Sequence, residues 1–325
     1  MNKNKVKNLI LDHIIEILLV AVIVVMALVS SNFLTVANIL NIFRNQAMKG
    51  VIAFGMTMVI ISGQIDLSVG SQVALSGAII ARVCRDLPAA AGVSVEVACV
   101  IGIVLAVSGA LVMGVIHAIA EHKFKMPAFI VTLASLNVLY GLAGIVCQGF
   151  PIANVFPQAF LWLGTGSVFG VIPVPAVILI IVFIVCYILM TYTTTGRAIY
   201  AVGGNAESAR LSGINVMMSK VIVFSAVQIM CVLAGIMHSA QVASGSFSFG
   251  KGWEVDVISS VVVGGTSMDG GIGKPWGTLM GILFLGVITN AMTILNVDVY
   301  MQYVIKGLVM AFAVLLSTYQ AKAKA

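Results

Sequence analysis

Residues 172–192, IPVPAVILIIVFIVCYILMTY, and residues 194–214, TTGRAIYAVGGNAESARLSGI, flank Thr193, and the contrast between them decides the fold. The first stretch is uncharged and has the roughly 20 apolar residues needed to cross a bilayer core of about 30 Å. The second carries Arg197, Glu207 and Arg210 in a chain that is 61% hydrophobic and only 9% charged. Another long apolar run, 219–243, follows it. The polar stretch is therefore an insert between two membrane spans. It predicts a short loop with Gly196 and Arg197, a break at Gly203-Gly204-Asn205, and a small amphipathic helix from Ala206 to Ser212 that includes Ala209 and Arg210. Asn205 suits the N-cap, Glu207 sits where the helix dipole favours an anion, and Gly213 suits a left-handed stop. Two turns of polar helix bury too little surface to stand alone. Residues 193–218 are thus expected to form a socket for a soluble partner.

The rest of the chain extends this pattern. Its mean hydropathy is +1.14, far from soluble averages of about half apolar and a quarter charged residues. Apolar stretches cover 14–32, 46–62, 67–83, 93–119, 127–147, 172–192, 219–243, 257–267, 276–296 and 299–318. The expectation is an all-α membrane protein with about ten transmembrane helices, forming one domain over residues 1–325. The run 257–267 is too short to span alone and is broken at Gly264-Gly265, which predicts a bent or re-entrant element enclosed by protein.

Orientation follows from Lys and Arg. With a cytoplasmic N-terminus and ten alternating elements, Lys3, Lys5, Lys7, Lys123, Lys125, Arg197, Arg210, Lys220, Lys274, Lys322 and Lys324 lie inside. Arg44, Lys49, Arg82, Arg85 and Lys251 lie outside, and Lys306 falls within an apolar run. Both termini are therefore expected in the cytoplasm. Arg44 and Lys49 fit least well, and segment 33–50 is expected to be amphipathic and to lie at the outer surface. Asp12 and Glu16 interrupt a signal-peptide pattern and no A-x-A site follows, so the first helix is expected to be retained.

Several functions are excluded by pattern. The net charge of +6 is spread without a run of five basic residues, which argues against nucleic-acid binding. Cys84, Cys99, Cys147, Cys186 and Cys231 lie in or beside apolar runs without a CxxC pair, so they are expected to be small apolar side chains. His13, His117, His122 and His238 are scattered, and no metal site is expected. GGIGKP at 270–275 lacks the earlier Gly and the Ser or Thr of a phosphate-binding loop. No nucleophile, base and oxyanion set is visible, so neither catalytic residues nor a bound cofactor is expected.

Two regions share a Gly-Asp spacing. GQIDLSVGSQVALSG contains Gly63, Asp66, Gly70 and Gly77, and GTSMDGGIGKPWGTLMG contains Gly265, Asp269, Gly273 and Gly281. Asp to the next marked Gly is four residues in both, which suggests internal duplication, a common arrangement in transporters. Asp66 and Asp269 precede apolar runs and are expected to cap helices. The sharper alternative is a proton or cation site. The glycines are expected to permit tight turns and gating flexure. Asp298, Gln302 and Lys306 lie near one face of the last helix, where a structural role is expected, with Lys306 snorkelling outward or paired inside the bundle, and direct substrate contact is the alternative. Asn137, Gln148, Asn290 and Gln302 are candidates for a polar substrate path, with hydrogen bonding between helices as the alternative.

Taken together, these stretches resemble a known family. GMTMVIISGQIDLSVGS at 55–71, MPAFIVTLASL at 126–136, GRAIYAVGGNAESARLSGI at 196–214, WEVDVISSVVVGGTSMDGGIG at 253–273 and YMQYVIKG at 300–307 are similar to the permease subunits of ribose-type ABC importers. The resemblance implies a monosaccharide importer of the bacterial inner membrane. It further implies a second permease copy or paralogue, cytoplasmic ATPase modules that bind ATP and Mg, and a periplasmic or lipid-anchored sugar-binding protein. On that view Asn205–Gly213 is the coupling helix. An ion-coupled secondary transporter acting alone is the alternative. Gln64 departs from the family pattern, standing where a second Gly is common.

Overall fold

The computed structural model describes residues 13–324, so Lys3, Lys5, Lys7 and Asp12 lie outside the described residues. Within it, the apolar runs become α1 (Ile14–Val29), α2 (Val36–Ile61), α3 (Val69–Ala91), α4 (Val95–His122), α5 (Ala128–Cys147) and, after a short helix α6 (Gln158–Thr165), α7 (Val174–Tyr192). The polar insert folds as α8 (Thr194–Gly204) and α9 (Ala206–Leu211). Three further helices and a half-length one complete the chain: α10 (Val216–Val242), α11 (Trp253–Val263), α12 (Pro275–Ile294) and α13 (Val299–Lys324). Two small antiparallel pairings staple the loops. Ile152–Ala153 (β1) pairs with Ser244–Gly245 (β4), and Ser167–Val168 (β2) pairs with Ile172–Pro173 (β3). The protein is an all-α membrane protein. Five helices, α4, α5, α7, α10 and α12, are long and apolar enough to cross a membrane by themselves.

The centre of the bundle is α2 against α10. From Ala47 to Ile61 nearly every residue of α2 is buried, and the matching face of α10 runs from Ser219 to Ala240. Lipid tails supply no net hydrophobic drive between helices, so close packing has to come from small residues. A Cβ on Gly114 of α4 would lie 2.5 Å from the Ser225 backbone of α10. Only glycine lets those helices approach so closely.

Three boundaries differ from expectation. Segment 33–50 does not lie at a surface: Thr35 caps α2 by accepting from Asn38 N–H, and the helix runs on unbroken to Ile61. Its amphipathic pattern has another cause, a polar stripe of Asn38, Asn41, Asn45 and Lys49 along the helix. Helix α3 continues two turns beyond residue 83, carrying Arg82 and Arg85, both paired with Asp86. The run 257–267 becomes α11 at Trp253–Val263, about 16 Å long and half a bilayer core.

That half-length helix is the second half of a broken crossing, running from mid-depth to the glycine-rich turn at Gly264-Gly265. Asp66 and Ser68, just before α3, bond Gln228 at the middle of α10, so α3 begins at mid-depth. Gly250, just before α11, lies against Gly70 at the same level; a Cβ on Gly70 would lie 2.2 Å from the Gly250 carbonyl oxygen. The segments 62–68 and 243–252 thus reach the midplane from opposite faces. Each is unwound backbone packed against the bundle, and a membrane tolerates such backbone where protein or a water-filled cavity surrounds it.

The two glycine-rich turns share a hydrogen-bond pattern. Gly63 N–H donates to Ile60 and Gln64 N–H to Val59; Gly265 N–H donates to Val262 and Thr266 N–H to Val261. Both glycines take a left-handed φ, +79° and +87°. Each turn is the same glycine stop on the same side of a helix.

Candidate functional site

The α8–α9 face is assembled locally. Thr193 Oγ1 accepts from Gly196 N–H at 3.1 Å and starts α8 one turn before Arg197, so Arg197 stands on a helix and not on the expected loop. A Cβ on Gly196 would lie 2.4 Å from the Leu189 carbonyl oxygen, which folds α8 tightly back on α7. Asn205 Oδ1 accepts from Ser208 N–H at 2.8 Å, making the expected cap, and Gly213 takes φ +82° at the stop. Glu207 and Arg210 pair through two hydrogen bonds of 3.0 and 2.6 Å. The Arg210 guanidinium holds the Glu207 carboxyl below the usual glutamate range.

Ala209 is turned inward. It is buried with Val202 and Val216, because on a two-turn helix one residue has to face the chain that supports it. The outward face consists of Ala206, Glu207, Ser208 and Arg210, together with Leu211, which is 74% exposed. Leu211 escaped the sequence reading. Its signal was a large apolar residue among polar neighbours, beside the glycine stop.

The glycine motifs converge beneath this face. Gly271 N–H donates to the Ile61 carbonyl at 2.8 Å, joining the second Gly-rich turn to the end of α2. A Cβ on Gly203 would lie 1.7 Å from that same Ile61 oxygen, and one on Gly270 would lie 2.7 Å from the Gly203 oxygen. Tyr200 Oη donates to the Gly273 carbonyl at 2.7 Å. Gly63, Gly203 and Gly271, far apart in sequence, form one backbone-to-backbone junction. Gly70 belongs elsewhere, at the midplane crossing, and Gly265 holds the turn that leads into the junction.

Asp66 and Asp269 part company. Asp269 is exposed and its own N–H bonds Ser267, so its carboxylate caps nothing. Asp66 is fully buried: one oxygen accepts from Ser68 N–H and Oγ, and the other accepts from Gln228 Nε2 at 2.8 Å. Ser68 is the cap residue of α3, so Asp66 braces the helix start from two residues upstream. His117 Nδ1 stands 3.5 Å from the same carboxylate, and its Nε2 meets Ser135 Oγ at 2.8 Å. Read as an isolated histidine in the sequence, His117 ties α4 and α5 to the Asp66 carboxylate.

The four substrate-path candidates do not converge. Asn137 bonds its own helix at Leu133, Gln148 sits left-handed at the end of α5, and Gln302 donates to Val297. Asn290 exchanges amide bonds of 2.8 and 3.0 Å with Asn38, holding α12 to α2. Asp298 accepts from Tyr300 N–H at the start of α13. Lys306 pairs inside the bundle, 3.5 Å from Asp256 Oδ2, and Lys49 of α2 pairs with the same oxygen. The two cations thus share one carboxylate on α11. Lys49, assigned to the outer surface by sequence, lies here at membrane depth. Among the described residues no group of three or more His, Cys, Asp or Glu side chains is placed to hold a metal ion.

A helical membrane bundle with two broken crossings, and a small exposed helix mounted on a glycine junction, is the architecture in which the comparisons place a permease. The family model described as the branched-chain amino acid transport system / permease component matches residues 38–314, and the chain belongs to that permease family. It is 38% identical over 303 residues to the "Ribose import permease protein RbsC" of Escherichia coli K12, covering 91% of each chain. The protein of the same name in Haemophilus influenzae is 40% identical over 306 residues, 93% of this chain and 92% of that one. The "L-arabinose transport system permease protein AraH" of E. coli K12 is 35% identical over 293 residues, 90% and 86% of the two chains. The family description names branched-chain amino acids, and these relatives' names give ribose and L-arabinose. No solved structure matches the chain. The resemblance to ribose-type import permeases holds along almost the whole sequence, in a family of transport proteins and not of enzymes.

Proposed function

We propose that the chain is the translocation subunit of an ATP-driven importer of a monosaccharide, with the ATPase docking on the α8–α9 face. The observation that carries this reading is α9 itself: a capped two-turn helix presenting Leu211 and the Glu207–Arg210 pair to solvent, seated on a backbone junction that leads into α2. The names of the relatives support a pentose or related sugar as cargo. On this reading the chain binds no cofactor; ATP and Mg sit on the partner. Residues 1–325 act as one permease domain beside a second copy or paralogue, with a periplasmic or lipid-anchored binding protein on the opposite face. Both termini are cytoplasmic, in a bacterial inner membrane.

Affinity purification of the detergent-solubilised tagged chain from its own cells tests this. An ATPase with two nucleotide-binding modules is expected among the recovered proteins. Leu211→Asp, which puts a charge where an apolar anchor sits, is expected to reduce its recovery at least tenfold without changing membrane insertion. One feature favours a second reading, an ion-coupled transporter acting alone: Asp66 and His117 form a buried ionisable pair at membrane depth. Recovery of the chain by itself, with proton-dependent uptake, would establish that reading instead.

A further inference from the structure

Helix α2 carries an unusual stripe. Asn38, Asn41, Asn45 and Lys49 recur at intervals of three, four and four residues, so they share one face. Asn45 Nδ2 reaches Asn41 Oδ1 at 3.4 Å along it. Asn41 and Asn45 are exposed, although Asn45 and Lys49 lie about 14 and 20 Å along a helix of about 39 Å. Bare amides at that depth are costly against hydrocarbon. They face either water or protein.

Both ends of the stripe lead somewhere. At the end opposite α8–α9, Asn38, Asn41 and Arg44 line an open cleft of about 600 Å³, inside the usual range for small-molecule sites. The Nε of Arg44 is buried there without a hydrogen-bond partner. At the inner end, Gln46 and Lys49 line a second cleft with Asp256, Ser259, Thr289 and Lys306, and it narrows to about 20 Å³, room for about one water. Amides both donate and accept, as sugar hydroxyls do. An ammonium beside a carboxylate matches a vicinal diol, one hydroxyl accepting from Lys49 or Lys306 and its neighbour donating to Asp256.

We propose that the α2 stripe Asn38–Asn41–Asn45–Lys49 is the wall of the sugar path, closed in this conformation by the Lys49–Asp256–Lys306 cluster, whose charged groups bind sugar hydroxyls when it opens. The cargo part of this inference rests on the monosaccharide reading above; the position of the path does not.

Asn41→Cys and Asn45→Cys, made one at a time in cells expressing the whole transporter, test the wall with a membrane-impermeant maleimide. All five native cysteines are buried. Both new thiols are expected to react at least tenfold faster than Val104→Cys, placed on the exposed apolar face of α4, and the reaction is expected to cut uptake at least fivefold. Unreactive thiols overturn the proposal. So does reaction with unchanged uptake. For the closing cluster, Lys306→Met and Asp256→Asn are expected to lower maximal uptake at least tenfold at normal membrane levels. Normal uptake in both removes the cluster from the path. A wild-type transporter that takes up no monosaccharide defeats the cargo reading alone, since thiol reactivity still locates the path.

Discussion

At the scale of single residues, neighbouring glycines in one motif have opposite roles. A Cβ on Gly203 would strike the Ile61 carbonyl, whereas one on Gly204 would meet nothing within 4 Å. Gly203→Ala is expected to destabilise the α2 junction by about 1–3 kcal/mol, the usual cost of overpacking, and Gly204→Ala to change stability by less than about 0.5 kcal/mol. Thermal unfolding of the two variants in detergent checks this, and equal melting temperatures would refute the junction's role. The sequence showed both glycines and could not separate them, because the partner of Gly203 is a carbonyl more than a hundred positions away. The orientation of Ala209 was unreadable for the same reason. Its place on the helix was legible, but the direction it faces depends on Val202 and Val216.

At the scale of elements, the apolar runs located nearly every helix, and the cap and stop of α9 were legible residue by residue. Local chemistry sufficed there. It did not suffice for α2, whose outer half reads as a surface segment because Asn and Lys at membrane depth are rare unless protein or water surrounds them. Nor did it distinguish Asp66 from Asp269, each of which stands four residues before a glycine. Asp66 holds the start of α3 to α10 and stands beside His117, so Asp66→Ala strands the Gln228 amide and the Ser68 N–H in a buried site. The expected loss is about 3–5 kcal/mol, with a smaller loss for Asp66→Asn, which keeps an acceptor oxygen. Asp269→Ala, at an exposed position, is expected to be neutral. If chemical denaturation or heating ranked Asp269→Ala with Asp66→Ala, the distinction between the two turns would fail.

At the scale of the whole molecule, the charge bias gains meaning once Lys49 is removed from the outer side and placed with Lys306 at Asp256. The remaining outward cations are Arg44, Arg82, Arg85 and Lys251, and two of these pair with Asp86. Reporter fusions are expected to put the residue 13 end, the α8–α9 face and the residue 324 end on one side, the cytoplasm. A periplasmic signal from α9 would reverse the topology and with it the docking face. The relatives, at 35–40% identity over most of the chain, share the scaffold on which these positions sit.

Helix α2 touches the glycine junction at Ile61 and the charged cluster at Lys49 without a break between them. An α-helix is far stiffer along its axis than any loop. Movement imposed at Ile61 therefore reaches Lys49 as the swing of a lever, undamped by soft backbone, and the distance between the two residues sets the length of its arm. On the proposed path, a shove at the membrane surface and the parting of a lysine from a carboxylate inside it become one mechanical stroke.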